Sequence, residues 1–331
     1  MTSHASHKNS APGEVFEFYM EEIVKIAYSK KPLSIENQIQ KLKGRGLLFK
    51  NEETAKCILS NISYYRFRAY TYPFQDNENE ENDHAFLQDD IYFEDIFNIY
   101  LFDRRLRLLV FNGIEKIEVA VRTKLSQIYS EMYNDSHWFL NGEHYKDHDS
   151  YEKIIKSIAE DVNRSNEDFI KHYKSKYKSP EMPASWMTLE VVSMGTLSRL
   201  YASLRKSDAK KEVARQFGLA DVEIMTNWFH AFSNLRNCCA HHSRIWDRRF
   251  AVSINLPYNT TYPFMDRGMI NSIKKNKLFS LLSCVKYICD IISPGNNFKT
   301  NLENLLKEKG DWVSLKKIGF PNEWDKLPVW K

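Results

Sequence analysis

FSNLRNCCAHHSRIW, at residues 232–246, is the most informative stretch of this chain. Around it, apolar residues recur at the spacing of one helical face: Trp228, Phe229, Phe232 and Leu235. The other side of this predicted helix carries Arg236, Asn237 and His241. A guanidinium that stays charged, an amide, and an imidazole that titrates near neutral pH can together hold a phosphate and move a proton. The pattern therefore predicts a polar site at the end of a buried helix.

The order Arg236, Asn237, three residues, His241 resembles the signature of the HEPN superfamily of metal-independent ribonucleases. The longer block LRNCCAHHSRIW, at residues 235–246, is similar to that of the Abi-like (AbiD/AbiF) abortive-infection family of bacteria. Three further blocks resemble the same family and follow its order: ISYYRFRAYTYPF at 62–74, FEDIFNIYLFDRRLRLLVFNGIEKIEVAVRT at 93–123, and PASWMTLEVVSMGTLSRLY at 183–201. The resemblance extends over most of the chain.

The resemblance implies a metal-independent endoribonuclease of an abortive-infection or toxin-antitoxin system of phage defence, which needs no cofactor. The 2′-hydroxyl of single-stranded RNA would attack its own adjacent phosphate by transesterification. Arg236 would stabilise the negative charge, His241 would act as general acid or base, and Asn237 would orient the imidazole or bond a phosphate oxygen. The resemblance also implies a homodimer with a composite cleft, and it allows a small non-coding RNA as a second partner.

One straight helix does not bring all three signature residues together. Asn237 and His241 are four residues apart and therefore neighbours, whereas Arg236 and His241 are separated by about 140° around the helix axis. Two arrangements solve this problem. Either the helix ends near Ala240 and His241 turns toward Arg236, or the same helix of a second subunit faces it across a two-fold axis.

A second polar stripe lies on the longest predicted helix, at residues 93–133. Glu115, Glu118 and Arg122 are three and four residues apart, so they share one face. One interpretation is an exposed ion pair between Glu118 and Arg122, which contributes little to stability. The other is that a glutamate of this helix orients Arg236 or His241 across a helix–helix interface, as the HEPN resemblance suggests.

Residues 62–74 interleave aromatic and basic side chains. Tyr65, Arg66 and Arg68 could stack bases and bind phosphates, so they are candidate RNA-binding residues. The alternative is that the aromatics pack a helix corner while the arginines bond local carbonyls or carboxylates. Downstream of the signature, His242 and Arg244 are further candidates for contacts along an RNA groove.

The predicted fold class is all-α, a multi-helix HEPN-like bundle with an N-terminal helical accessory region. Residues 1–13 are expected to form a disordered tail, 14–90 a helical region with an acidic loop, 91–292 the HEPN-like domain, and 293–331 a C-terminal helix and tail. The predicted helices are at about 15–28, 34–44, 93–133, 150–163, 166–177, 185–205, 208–217, 267–292 and 299–308. A further helix is predicted to start near residue 51, and the signature helix is predicted to start at residue 221. Asn112 and Gly113 are expected to kink or break the long helix.

Composition narrows the class of protein. The chain has 331 residues, 43% of them hydrophobic and 14% aromatic, which is enough to bury a sizeable core. The formal net charge is +4, and an acidic segment at residues 76–90 contains no lysine or arginine, so the remainder is more basic and suits a polyanionic partner. An N-terminus without an apolar signal region and a charged interruption of the apolar segment at 278–292 predict a cytoplasmic protein without membrane spans.

The five cysteines predict a reducing compartment, because the count is odd and two of them are adjacent. Cys238 with His241, and Cys239 with His242, have a spacing that metal ligands use. Such ligands would point in opposite directions around one helix, so no metal site is predicted and the cysteines are expected to pack as small hydrophobic residues.

Two other functions remain open from the sequence. The same arginine and histidine could bind RNA, for example a small non-coding RNA, without cleaving it. Alternatively, the HEPN-like helices could serve only as a dimerising scaffold.

Overall fold

The computed structural model describes residues 27–79 and 82–331. Within these ranges the chain is all-α, as predicted, with three isolated bridges and no β-sheet. We number the α-helices in chain order: α1 Ile35–Gly44, α2 Glu52–Ile62, α3 Tyr64–Thr71, α4 Phe93–Tyr133, α5 His148–Arg164, α6 Asp168–Lys176, α7 Ser185–Val191, α8 Met194–Ser203, α9 Asp208–Gln216, α10 Val222–Ala240, α11 Arg267–Ser272, α12 Leu278–Ile292, α13 Phe298–Lys307 and α14 Leu315–Ile318. The predicted tail at 1–13 and nearly all of the predicted helix at 15–28 lie outside the described residues.

Helix α4 is the centre of the bundle. Its 41 residues bury apolar side chains at helical spacing from Phe93 to Tyr129, and helices α3, α7, α9, α10, α12 and α13 all pack on it. At its start, the Asp95 carboxylate accepts a hydrogen bond from the Tyr92 backbone N–H at 3.1 Å, and at its end Asn134 adopts a left-handed conformation. The ends of α4 are therefore set by local caps, while its length follows from the surrounding helices.

Gly113 does not break this helix, contrary to the expectation from sequence. The α-helix is continuous from Phe93 to Tyr133, and Gly113 is buried where α12 and α13 approach it. A Cβ at this position would lie 2.9 Å from Val285 Cγ1 and 3.0 Å from Phe298 Cε2. The glycine is thus needed because the neighbouring helices approach so closely at this position. The packing of these helices offsets the low helix propensity of glycine.

Helix α10 carries the signature. It begins after the N-cap Asp221, whose side chain accepts a hydrogen bond from the Glu223 backbone N–H at 2.8 Å. Its apolar face packs against α4, α8, α9 and α12, and the residues buried there include Met225, Trp228, Phe232 and Leu235. The amphipathic prediction for this segment is confirmed, and the burial fixes which way the polar signature face points.

Two of the predicted long helices are divided in the structure. The segment at 185–205 forms α7 and α8, because Val192 is extended and Ser193 is the N-cap of α8. The N–H of Ser193 donates to the Asp161 carboxylate at 3.1 Å, which fixes this break. The segment at 267–292 forms α11 and α12. There the carbonyls of Lys275 and Asn276 accept hydrogen bonds from the N–H groups of Ile254 and Phe250, which a continuous helix would prevent.

The acidic segment is a folded loop in its described part. Asp83 forms an ion pair with Arg45 at 2.8 Å, and Phe86 is buried in the core. None of the described helices is long and apolar enough to cross a membrane.

Candidate functional site

Arg236 lies at the interface between α10 and α4. Its Nε is 3.7 Å from Glu118 Oε2, and its guanidinium carbon is 5.8 Å from the centre of the Phe111 ring. The Nε is shielded from solvent yet has no hydrogen-bond acceptor among the described residues. About a third of the side chain is exposed. Arg236 is therefore oriented by a carboxylate and a ring but held by neither at hydrogen-bond distance.

Glu118 is shared between two arginines. Its Oε1 accepts a hydrogen bond from Arg122 Nη2 at 2.5 Å, one turn further along α4. Arg122 also donates to the backbone carbonyls of Leu189 and Glu190, so it anchors the end of α7. The tighter partner of Glu118 is thus Arg122, which leaves Arg236 only partly neutralised. Glu115, the third residue of the predicted stripe, is exposed and has no ion pair in the described chain.

Asn237 and His241 face solvent. Helix α10 ends at Ala240 and His241 is its C-cap. The backbone N–H of His241 still donates to the Asn237 carbonyl at 3.0 Å, but its own φ of −87° and ψ of 11° are no longer helical. The helix therefore ends where the first of the two arrangements expected from the sequence places its end, but the described residues show no contact between the His241 ring and Arg236. Within one chain, Asn237 and His241 share an exposed face, while Arg236 points toward α4.

The chain then reverses in a tight turn. His242 has φ 56°, and the N–H groups of His242 and Ser243 donate to the carbonyls of Cys239 and Cys238. Two arginines fasten this turn to α3: Arg66 Nη1 donates to the His242 carbonyl at 2.7 Å, and Arg244 Nη1 donates to the Ala69 carbonyl at 2.6 Å. Burial lowers the pKa of Arg244. The described contact of Arg244 is thus structural.

A model of the Abi-like protein family matches residues 57–247, more than half of the chain. The chain belongs to the Abi-like family. The matched region includes α4, the signature and the turn that follows it. No curated protein and no solved structure matches the chain. Membership of the Abi-like family suggests an abortive-infection protein of phage defence.

Asp103 is a central residue of the Abi-like region that the sequence interpretation missed. It is fully buried and accepts hydrogen bonds from the Trp246 N–H at 2.7 Å, the Ile245 N–H at 3.2 Å and the Tyr70 hydroxyl at 2.6 Å. It also pairs with Arg107 one turn later. Burial raises the pKa of Asp103, although the positive charge of Arg107 acts to lower that pKa. Asp103 thus joins α3, α4 and the end of the signature block.

A signal for Asp103 was present in the sequence. Asp103 and Arg107 interrupt the apolar face of α4 at positions four residues apart, where hydrophobic residues are otherwise expected. A buried carboxylate needs several donors, and the matching arginine is one of them. The two backbone donors come from more than a hundred residues away, so local patterns do not identify them.

The candidate RNA-binding residues of the Abi-like region lie on both sides of α3. Tyr65, Arg68, Ala69, Tyr72 and Arg244 line a cleft of about 230 Å³, and Tyr65 is 84% exposed. Arg68 Nη2 lies 3.0 Å from His84 Nε2. Arg66 instead lines a larger groove between α3 and α4. The three predicted residues therefore do not form one surface.

The described residues contain no cluster of three or more His, Cys, Asp or Glu side chains suited to a metal ion. Cys239 is buried and Cys238 is half-buried, whereas His241 and His242 are exposed. Burial raises the pKa of Cys239 to about 12, so its thiol is protonated at neutral pH and is a poor ligand. Cys239 packs as a small hydrophobic residue.

Proposed function

We propose that this Abi-like protein is a metal-independent endoribonuclease of the HEPN type, which cleaves single-stranded RNA in phage defence. The observation that carries the proposal is the state of the signature residues at the end of α10. Arg236 is a cation with an incomplete set of partners, and Asn237 and His241 are exposed beside it. Cleavage of RNA needs a positive charge at the phosphate and a proton-transfer group at the adjacent 2′-hydroxyl, and these side chains are of those two kinds.

Arg236 supplies the positive charge. A phosphate oxygen binds a guanidinium through paired N–H donors, and this interaction strengthens as charge develops on the phosphorane. Glu118 lies 3.7 Å from Nε, so it orients the side chain while the remaining N–H groups stay available to the substrate. The exposed third of Arg236 is the part that would contact RNA.

His241 exchanges the proton. As a base it takes the proton of the 2′-hydroxyl, and as an acid it returns one to the 5′-oxygen that leaves. Asn237 lies one helical turn before it and can bond the ring or a phosphate oxygen. The products are a 2′,3′-cyclic phosphate and a 5′-hydroxyl. DNA lacks the nucleophile and therefore persists.

A homodimer completes this site. Within one chain the described residues show no contact between Arg236 and His241, and a helical path separates them by about 140°, so a second copy would bring the charge and the proton-transfer group together. An isologous contact along the exposed face of α10 places Arg236 of one subunit near His241 of its partner, and the two-fold axis creates two such sites.

The test is cleavage of a labelled single-stranded RNA by purified protein in EDTA. We expect wild-type protein to cleave RNA but not DNA of the same sequence. His241→Ala and Arg236→Ala should each lower the rate by at least about 100-fold, because a proton-transfer group or the main charge stabiliser is lost. Thermal unfolding of both variants should be nearly unchanged, because His241 is exposed and Arg236 is partly so.

His172→Ala is the matched control. His172 is an exposed histidine on α6 and lies outside the face of α10 proposed as the dimer contact. It should retain full activity. Full activity of His241→Ala would remove that residue from the mechanism, and loss of activity on adding EDTA would exclude the metal-independent reaction.

The lack of a contact between Arg236 and His241 within the described chain favours a second function: RNA binding without cleavage. A monomer in which the two residues stay apart holds a phosphate but does not assemble the reaction. Tight RNA binding together with no cleavage in the same assay would support this function. RNA affinity that is unchanged in Arg236→Ala would exclude this second function.

A further inference from the structure

The groove between α3 and α4 has a volume of about 580 Å³ and opens beside the end of α10. Arg66 and Arg104 line it from two helices, and His242 lines it from the turn after α10. Tyr100, Leu108 and Phe111 form its apolar part. This volume is within the usual range for sites that bind small molecules, so one nucleotide unit fits.

The groove has an uncompensated positive charge. No Asp or Glu is among the residues that line it. The described Arg66 side chain bonds only the His242 carbonyl, which is neutral, and Arg104 is exposed with no ion pair in the described residues. Arg107 at the base is the exception, because Asp103 neutralises it. Two arginines without carboxylate partners make this groove suitable for phosphate.

Phe111 connects the groove to the signature. The same ring lines the groove and lies 5.8 Å from the Arg236 guanidinium. Beside it, Leu108 is 58% exposed. A nucleobase that packs against these two side chains would therefore lie next to a phosphate bound by Arg236. Aromatic and apolar contacts of this kind bind unpaired bases with little dependence on sequence.

We infer that the α3–α4 groove binds the nucleotide adjacent to the scissile phosphate of single-stranded RNA. The base packs on Phe111 and Leu108, and the next phosphate contacts Arg104 and Arg66. This inference rests on the proposed function for its substrate and adds the position of the strand. The RNA thus runs from the end of α10 toward α3 and does not extend along the solvent face of α10 alone.

The test uses the full-length His241→Ala protein, which binds RNA without cutting it. Its affinity for a short fluorescein-labelled oligouridylate is measured by anisotropy over a range of salt concentrations. Adding Arg104→Ala should weaken binding about tenfold and reduce the salt slope by about 0.7, the value for one phosphate contact on a single strand. Adding Phe111→Leu should weaken binding at least about fivefold with an unchanged slope, because the ring that packs on the base is lost and no charge is removed.

Arg105→Ala is the matched control for the charge. Arg105 is the next residue of the same helix, but it pairs with Glu308 and lies outside the groove. Its removal should change the affinity by less than about twofold. Equal effects of Arg104→Ala and Arg105→Ala, or an unchanged salt slope in Arg104→Ala, would overturn the inference. An absence of oligouridylate binding by the parent protein would overturn it as well.

The outcome separates this inference from the proposed function. Cleavage by wild-type protein with no dependence of binding on Arg104 rejects the groove and leaves the ribonuclease intact. Binding that depends on Arg104, with no cleavage by wild-type protein, keeps the groove and rejects the enzyme.

Discussion

Glu118 has opposing effects on the arginine it orients. Its charge holds Arg236 in place at 3.7 Å, yet the same charge competes with any phosphate that approaches the guanidinium. Most of its interaction is directed to Arg122, which in turn holds the end of α7. At the scale of single residues, Glu118 is therefore a positioning residue whose removal should affect binding and turnover in opposite directions.

We predict that Glu118→Gln lowers KM for RNA a few-fold and lowers kcat about tenfold, since competition is relieved while alignment of Arg236 is lost. Steady-state kinetics of RNA cleavage measure both constants. Glu115→Gln is the control, because Glu115 lies one turn earlier on α4 and is exposed without an ion pair among the described residues. A parallel fall of kcat in both variants would reject the positioning role.

Asp103 determines stability rather than chemistry. Asp103→Asn keeps the shape of the side chain but leaves Arg107 charged and buried, so we predict a loss of about 3 kcal/mol in the free energy of unfolding. Urea denaturation measures the change. The double variant Asp103→Asn, Arg107→Met should recover part of the loss, because no unpaired charge remains. A cost below about 1 kcal/mol for Asp103→Asn would show that Arg107 finds another partner.

At the scale of elements, α4 shows why sequence patterns predict some features well. Its bounds, 93–133, agree with the sequence prediction because apolar residues recur at helical spacing throughout and caps stand at both ends. Of the kink or break predicted at Asn112 and Gly113, the break is wrong, because helix propensity is local, whereas Val285 and Phe298 approach from other helices. The break between α7 and α8 was missed for the same reason, because Asp161 lies on α5.

We predict that Gly113→Ala lowers the free energy of unfolding by about 1–2 kcal/mol, because overpacking outweighs the gain of about 1 kcal/mol in helix propensity. Thermal or urea unfolding measures the change. Gly44→Ala provides the comparison, because Gly44 is also helical and has no neighbouring atom within 4 Å of an added Cβ. It should leave stability unchanged or raise it slightly. Stabilisation by Gly113→Ala would mean that α12 and α13 are displaced easily.

The site was predictable from sequence only in part. The signature identified Arg236, Asn237 and His241 because these residues lie within six positions of one another in the chain. The roles of Asp103 in holding Trp246 and of Ala69 in holding Arg244 come from contacts across more than a hundred residues, which no local pattern reveals. Arg244 was assigned to RNA because it is basic and close to the signature. That assignment stays a prediction, and the bond from Arg244 to the Ala69 carbonyl adds a structural role that the sequence did not indicate.

At the scale of the whole molecule, the proposed composite site makes a prediction about mixtures. Arg236→Ala and His241→Ala are each inactive alone, but a heterodimer of the two has one site with both residues intact. After co-expression we expect about a quarter of wild-type activity, because half of the dimers are mixed and each has one working site of two. Cleavage by the purified mixture measures the recovery, and no recovery would place the site within a single chain.

The paired links between α3 and the signature turn have a wider consequence. Arg66 and Arg244 each reach across to a main-chain oxygen of the other segment, so the two links form a reciprocal clasp. Neither a guanidinium nor a peptide carbonyl titrates at physiological pH, and neither acceptor depends on the side chain at its position. Substitutions at residue 69 can therefore alter what this surface recognises while the clasp continues to hold the turn in place, whereas residue 242 must also tolerate a φ of 56°.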